Sequence, residues 1–227
     1  MFPFPPQEED DGGLSCTELH RQRIRSAVVF GLAVLLSALG LGYLFSLKRE
    51  PPNTERFAAV GDFPEGHAWF NTQETLGLYR ELSGHVVLLL FCDFTRLSDA
   101  AGLERLQRLY LDLATSPVAV VTVFVRPGAG PDSWRRTIAA WGIDFPVIVD
   151  HDGTVMTHFG VEDTPRLLVL DAHARVVARY GSEWRDADLE GLISDLIAEG
   201  VASRSLSDQP YRAEPGEYVP PELAGGP

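Results

Sequence analysis

Two apolar stretches decide the fold: HVVLLLFCD at residues 85–93 and VAVVTVFVR at residues 118–126. Each is a nearly continuous run of aliphatic and aromatic residues, without the alternation of polar and apolar side chains that marks a strand with one face in water. Runs of this length and composition are typical of strands that are covered on both faces. The sequence therefore predicts that both stretches lie at the centre of a sheet.

The segment between the two predicted strands has the spacing of a helix. Its apolar residues Leu103, Leu106, Tyr110 and Leu113 recur every three or four positions, which places them on one helical face. A strand, a helix and a second strand form a βαβ unit, whose crossover is right-handed and whose strands are parallel. The predicted sheet is therefore parallel at its centre.

Further elements follow in alternation. Trp134, Ile138 and Trp141 indicate a second, shorter helix, and PVIVD at residues 146–150 predicts a third strand. Residues 166–171 and 176–180 flank a polar turn, which predicts an antiparallel hairpin at the edge of the sheet.

A final helix is predicted after the hairpin. Asp186 is a candidate N-cap, and Gly200 stands where a helix often ends in a glycine. The apolar stripe between them consists of Leu189, Leu192, Ile193, Leu196 and Ile197. These elements together predict an α/β fold, a mixed-sheet sandwich.

Composition limits the possible functions. The chain has 227 residues and a formal net charge of −13, and downstream of its first apolar segment it has no basic run. Phosphate backbones are bound by clustered Lys and Arg, so a nucleic-acid partner is excluded. Only two cysteines occur, Cys16 and Cys92, which is too few for a disulfide framework or a cysteine zinc site.

Residues 26–46 form an uncharged segment of 21 residues. As a helix it would be about 30 Å long, enough to span the hydrocarbon of a bilayer. A buried core helix and a cleaved signal peptide are the alternatives. An apolar helix of this length is unusual in a soluble core, and the acidic leader, the length of the segment and the lack of a cleavage site before Lys48 oppose a signal peptide. We therefore expect an uncleaved signal anchor in the bilayer.

The residues that flank this segment predict its orientation. Three arginines precede it closely, whereas Lys48 and Arg49 follow it. This slight excess favours a cytoplasmic N-terminus. The globular domain would then lie outside the cytoplasm, as in a periplasmic location.

Four further segments complete the predicted organisation. Residues 1–25 read as a disordered tail, and residues 47–66 read as a stalk because of their proline and glycine content. Residues 67–200 form the globular domain. Residues 201–227 are rich in proline and are expected to be an extended tail.

Several local phrases in this order resemble the thioredoxin fold, and in particular its redoxin branch. That branch includes peroxiredoxins of the AhpC/TSA type and the membrane-anchored thioredoxins of cytochrome maturation. The matching phrases are WFN at 69–71, GHVVLL at 84–89, FPVIVD at 145–150, FGV at 159–161 and TPRLLVLD at 164–171. Together they extend over residues 66–200, so the resemblance implies a thioredoxin-like domain.

Thr164 and Pro165 resemble the cis-proline corner of this family. A proline at the entrance to an apolar strand requires a special bend or a strand start, which agrees with such a corner. In active relatives this loop faces the catalytic thiols and hydrogen-bonds an extended substrate peptide. The resemblance therefore implies that Thr164 and Pro165 are candidate binding residues.

The catalytic cysteines implied by the resemblance are missing. Thiol exchange in this family needs a thiolate at the start of the helix that follows the first central strand, where the helix dipole lowers its pKa. A Cys-x-x-Cys pattern placed on residues 91–99 falls on Arg96 and Asp99. The peroxiredoxin pattern falls on Ser98, for which a role as helix N-cap is the alternative interpretation. None of these side chains can exchange a disulfide.

Cys92 is the remaining candidate for thiol chemistry in the domain. It lies near the end of a predicted buried strand, and burial among apolar groups raises the pKa of a thiol. A packed, unreactive thiol is therefore the favoured interpretation, and a reactive one is the alternative.

The motif DHDG at residues 150–153 lacks the spacing of a calcium loop and is predicted to be a turn. No metal or cofactor is expected.

Three functional hypotheses follow. In the first, a membrane-tethered, redox-inactive thioredoxin-like module binds another protein as an assembly factor or as an accessory subunit of a membrane complex. In the second, the domain is a redoxin-type thiol oxidoreductase or antioxidant protein that uses Cys92 alone. In the third, it is a spacer with no ligand at the cis-proline corner.

Overall fold

The computed structural model describes residues 59–93, 95–125 and 130–223. The chain divides after Pro51, and all of the described residues belong to the second unit, which begins at Pro52. The predicted N-terminal tail, the membrane segment at 26–46 and the first part of the predicted stalk lie outside the described residues. Within these residues, every helix is too short or too polar to cross a bilayer.

Seven strands form one mixed sheet. Their bounds are β1 Ala68–Phe70, β2 Val86–Cys92, β3 Val118–Val125, β4 Val147–Asp150, β5 Arg166–Leu170, β6 Val176–Tyr180 and β7 Tyr218–Val219. Their order across the sheet is β6-β5-β2-β3-β4-β1-β7. The two long apolar runs therefore occupy inner positions, as their composition predicts.

The central strands β2, β3 and β4 are parallel, and the outer strands are antiparallel to their neighbours. All residues of β2, β3 and β4 are buried. This complete burial explains why their sequences are nearly all apolar instead of alternating, with Thr122 in β3 and Asp150 at the end of β4 as the polar residues. The predicted hairpin of β5 and β6 is present, and it packs against β2.

Four α-helices accompany the sheet: α1 Leu97–Asp112, α2 Pro131–Ala140, α3 Thr154–His158 and α4 Leu189–Ser203. Short 3-10 turns occupy Ser182–Asp186 and Pro221–Leu223. The helix α1 is the predicted crossover between the parallel strands β2 and β3.

Each face of the sheet has its own core. On one face, Leu88 and Leu90 of β2 pack among buried residues of α1, α2 and α4. On the other face, Val87 and Leu89 pack with Phe63 and with apolar residues of α3 and of the segment before β2. Alternate residues of one strand thus belong to opposite cores, as a strand covered on both faces requires.

The folded domain begins earlier than predicted. Val60 donates a backbone hydrogen bond to Ala174, and Phe63 is buried with its ring edge against Trp69 at a centroid distance of 5.1 Å. The last part of the predicted stalk, residues 59–66, is therefore packed on the domain. The proline and glycine content of this segment predicted a stalk, whereas its buried aromatic residue, Phe63, anchors it to the core.

The ends of the last helix differ from the prediction. The N-cap is Asp188, whose carboxylate accepts a hydrogen bond from Gly191, because Asp186 is taken up in a preceding 3-10 turn. The helix continues through Gly200 and ends at Arg204, which adopts the left-handed conformation with φ 55°. Gly200 is needed inside the helix because Leu206 folds back so closely that a Cβ would lie 2.5 Å from its Cγ.

The C-terminal segment returns along the domain instead of leaving it. Ser207 donates a backbone hydrogen bond to Gly84, and Tyr218 and Val219 pair with β1. Asn71, which is buried, binds this segment through its backbone to Glu214 and Glu217. Of the predicted tail, residues 201–203 belong to the last helix, and Tyr218–Val219 form the edge strand β7.

Candidate functional site

The start of α1 meets the loop before β5 at the corner predicted from the family resemblance. The peptide bond between Thr164 and Pro165 is cis. Arg96, the N-cap residue of α1, donates a hydrogen bond of 3.2 Å from its guanidinium to the carbonyl oxygen of Thr164. Arg96 is exposed, and Thr164 and Pro165 are half-buried. The structure therefore brings together Arg96, Thr164 and Pro165.

Asp99 has a structural role under this corner. Its side chain is buried, with 1% of the residue's surface exposed, and its Oδ2 accepts a hydrogen bond of 2.8 Å from the backbone of Asp93. The carboxylate of Asp93 in turn accepts hydrogen bonds from the backbone and the hydroxyl of Thr95. The two carboxylates thus fix the turn between β2 and α1.

Ser98 is the second residue of α1. The N-cap position belongs to Arg96, which makes no side-chain hydrogen bond to the helix backbone. The interpretation of Ser98 as the N-cap is therefore wrong by two residues, because the turn closed by Asp93 and Asp99 starts the helix earlier.

Cys92 is the last residue of β2 and is completely buried. Burial raises the pKa of its thiol well above the usual value, and the nearby carboxylates of Asp99 and Asp93 raise it further. A thiolate is the nucleophile in thiol exchange, so this environment opposes the reaction in two ways: it keeps the thiol protonated and out of reach of a substrate.

Two more arginines flank the cis-proline corner. Arg166, the first residue of β5, forms an ion pair with Asp163. Arg179 donates a hydrogen bond of 3.1 Å to the carbonyl of Phe159, and burial followed by the charge of Arg166 lowers the pKa of its guanidinium. The corner therefore carries charges of both signs, because Asp163 pairs with Arg166 and Glu162 is exposed beside it.

The residues at 150–153 form a bend that leads directly into α3. The buried carboxylate of Asp150 accepts hydrogen bonds from the backbone of Val155 and Met156, and Gly153 has a φ of 80° that favours glycine. The predicted turn is therefore present. The structure also brings His67, which is distant in sequence, next to this turn.

The sheet, its flanking helices and the cis-proline corner define a thioredoxin-like domain, and solved structures share this fold. A candidate thiol:disulfide interchange protein DsbE from Chlorobium tepidum is 19% identical, with a TM-score of 0.53 over 63% of this chain and 98% of that chain. A thiol-disulfide isomerase from Corynebacterium glutamicum is 20% identical, with a TM-score of 0.51 over 63% of this chain and 96% of that chain.

A DsbF homologue from Corynebacterium diphtheriae is 19% identical, with a TM-score of 0.50 over 62% of this chain and 87% of that chain. The chain thus has the fold of thioredoxin-like thiol-disulfide oxidoreductases. No family model matches the sequence.

Among curated proteins the chain is similar to part of NHL repeat-containing protein 2. The Bos taurus protein is 27% identical over 137 residues, which cover 57% of this chain and 18% of that protein. The Homo sapiens protein is 26% identical over 124 residues, which cover 51% of this chain and 16% of that protein. The chain therefore matches less than a fifth of the length of these relatives.

Proposed function

We propose that the protein is a membrane-anchored, redox-inactive thioredoxin-like module that binds another protein, as an assembly factor or as an accessory subunit of a membrane complex. One observation carries the proposal: Arg96 stands where the family resemblance places a catalytic cysteine, and it hydrogen-bonds the cis-proline loop at the Thr164 carbonyl. The corner keeps the architecture of a peptide-binding surface and lacks its nucleophile.

The corner has groups suited to an extended polypeptide. The half-buried Thr164 and Pro165 present main chain at the entrance to β5, where an incoming strand can pair with it. Arg96 is exposed and supplies a planar cation that binds carbonyl or carboxylate oxygens. A segment with an acidic side chain or a C-terminal carboxylate would suit these groups. Its carboxylate would replace the carbonyl of Thr164 as the acceptor for Arg96, and its backbone would then hydrogen-bond Thr164.

The membrane anchor is assigned to residues 26–46. Its support is the uncharged run of 21 residues in the sequence, which is long enough to span a bilayer as a helix. The proposed topology has a cytoplasmic N-terminus and an extracytoplasmic domain. The relatives support a modular role, because the similar region is a small part of a much longer protein.

A thiol oxidoreductase is the second candidate, and the similarity in fold to thiol-disulfide oxidoreductases favours it. In the described part of the chain it would depend on Cys92, since this is the free cysteine there. The complete burial of Cys92 and its raised pKa weigh against this candidate.

Site-specific photo-crosslinking in native membranes tests the proposal. A photoreactive amino acid replaces Thr164 in the full-length chain, and the matched control carries it at Arg108, an exposed position on α1. We expect a discrete crosslinked band at 164 that is absent at 108 and that weakens at least severalfold when Arg96→Glu is added.

Equal crosslinking at both positions, or a band at 164 that Arg96→Glu leaves unchanged, would contradict a binding site at this corner and favour the spacer hypothesis. Disulfide reduction by the purified full chain that is lost in Cys92→Ser would instead establish the oxidoreductase.

A further inference from the structure

His67, His151 and Asp152 form a cluster of potential metal ligands. One ring nitrogen of each histidine and one carboxylate oxygen of Asp152 all lie within 4.8 Å of one another. His67 immediately precedes β1, whereas the other two residues follow β4. The cluster is separate from the cis-proline corner, which lies on the far side of β3 and β2 in the strand order.

The register of the sheet creates this cluster. β1 runs antiparallel to β4 with Ala68 opposite Val149, so the residue before β1 meets the residues that follow β4. The contact joins positions more than 80 residues apart, as the hydrogen bond between His67 and Val149 shows. A local sequence motif could not reveal the cluster, because His151 and Asp152 are adjacent in sequence whereas His67 is remote.

His67 is held in the orientation of a metal ligand. It is buried, with 2% of its surface exposed, and its Nδ1 lies 3.2 Å from the carbonyl oxygen of Val149. A carbonyl can only accept, so Nδ1 donates this hydrogen bond, and Nε2 is not used by it. Metal-binding histidines in proteins commonly donate their second ring N–H to a backbone carbonyl in this way.

Asp152 supplies a negative charge at the same place. An aspartate is a carboxylate at neutral pH, and this one lies beside both histidines. Its Oδ1 accepts from the backbone of Thr154 at 3.0 Å, and its Oδ2 lies 3.9 Å from Nε2 of His151. One oxygen is thus used by the turn, and the other faces the imidazole.

We propose that His67, His151 and Asp152 bind a divalent transition-metal ion such as Zn²⁺. Two imidazoles and one carboxylate are ligands of borderline metals, whereas Mg²⁺ and Ca²⁺ prefer all-oxygen sites. Three protein ligands leave a coordination position for water or for a partner's side chain. The site would give the module a metal-dependent surface that is independent of the function proposed for the cis-proline corner.

The geometry requires a small adjustment. Ligand atoms about 2.1 Å from a tetrahedral ion lie about 3.4 Å apart, so the atoms must approach by about 1 Å. The side chains of His151 and Asp152 are 56% and 50% exposed, and they can rotate toward the buried His67. The two rings already face each other, with centroids 5.3 Å apart.

Metal titration of the tag-free, full-length protein in mild detergent tests the proposal. The metal-stripped chain is titrated with Zn²⁺ by calorimetry and with Co²⁺ by visible absorption, which reports the coordination of the ion. We expect one site per chain, no comparable binding of Mg²⁺, and an affinity for Zn²⁺ that falls at least tenfold in His151→Ala and in Asp152→Asn.

The matched control is His173→Ala, an exposed histidine in the turn between β5 and β6, which should bind Zn²⁺ like the wild type. The two test variants change exposed side chains, and thermal melting checks that they remain folded. The proposal is overturned if the wild type takes up no stoichiometric Zn²⁺, or if His151→Ala and His173→Ala bind it equally well.

Discussion

The guanidinium of Arg96 hydrogen-bonds the carbonyl oxygen of Thr164 at 3.2 Å, across 68 positions of sequence. This contact joins the N-cap of α1 to the residue that precedes the cis-proline. The residue at the start of α1 is thus a hydrogen-bond donor to the loop that leads into β5. Its contribution to stability and its availability for a partner can both be measured.

Replacing Arg96 with alanine should have a small effect on folding. The guanidinium is exposed, and exposed charged contacts contribute about 1 kcal/mol or less. Urea denaturation of Arg96→Ala should therefore show a free energy of unfolding within about 1 kcal/mol of the wild type. A loss of about 3 kcal/mol would show that Arg96 is a structural residue, and would weaken its assignment to a binding surface.

Cys92 should be inert in the native protein. In a Cys16→Ser background, maleimide labelling at pH 7.5 should be on the order of a hundredfold slower than in guanidinium chloride, because the buried thiol must first be exposed by local unfolding. Burial raises its pKa, so little thiolate is present at this pH. Arg96→Cys provides the positive control, since it adds a thiol at an exposed helix start, and fast labelling of Cys92 itself would contradict the assignment.

Asn71 should be one of the most sensitive positions in the domain. Its amide donates to the carbonyls of Ile143 and Phe145 at 2.8 and 2.9 Å and accepts from Gly216 at 3.0 Å, while its backbone has a φ of 60°. Asn71→Ala should lower the free energy of unfolding by about 4 kcal/mol, roughly 1 kcal/mol for each of the three hydrogen bonds and about 1 kcal/mol for the strain of a positive φ.

Asn71→Gly separates the two causes, because glycine adopts a positive φ without strain. We expect it to be about 1 kcal/mol more stable than Asn71→Ala and still well below the wild type. If both variants unfold like the wild type, the side-chain hydrogen bonds of Asn71 have no energetic role.

Alkaline pH should loosen the C-terminal segment at Tyr211. Burial raises the pKa of Tyr211 to about 12, while the unfolded value is near 10. A raised pKa stabilises the folded state fully below pH 10, and this contribution is lost as the pH rises from 10 to 12. The melting temperature of the wild type should therefore fall more steeply in that range than that of Tyr211→Phe. If the melting temperatures of the two proteins fall equally with pH, the ionisation of Tyr211 does not destabilise the folded protein.

Gly102 should not tolerate a methyl group. It lies inside α1 against the completely buried Trp184, and a Cβ would come within 2.8 Å of the indole. Alanine is favoured over glycine in a helix by about 1 kcal/mol, but overpacking costs about 1–3 kcal/mol. Gly102→Ala should therefore fail to stabilise the protein, and thermal melting should show an unchanged or lower melting temperature. Gly130→Ala, at an open position, is the control.

The central fold could be predicted because its signals are local. The sequences of β2 and β3 are apolar except for Thr122, since both faces of each strand are covered. The final helix was found from its apolar stripe, but its ends were misplaced. They depend on the 3-10 turn at Ser182–Asp186 and on Leu206 folding back onto Gly200. Both are tertiary features that leave little trace in a local pattern.

The site was predicted in part for the same reason. The cis peptide bond between Thr164 and Pro165 could be predicted from a local motif, and the structure places Arg96 against Thr164. His67 was overlooked because its neighbours come from β4, and only the register between β1 and β4 makes them adjacent. The strand β7 was overlooked because its two residues, Tyr218 and Val219, are too few to show a period.

The two ends of the described domain leave from opposite edges of the sheet. Ala59 bridges to Arg175 beside β6, and Val219 lies in β7, while β6 and β7 are the outermost strands. Six strand spacings separate these edges, a distance of about 29 Å. Tension applied between the ends would run across the hydrogen-bond ladders and open them one at a time. The single bridge at Ala59 and the two-residue pairing of β7 would yield first, leaving the parallel centre intact.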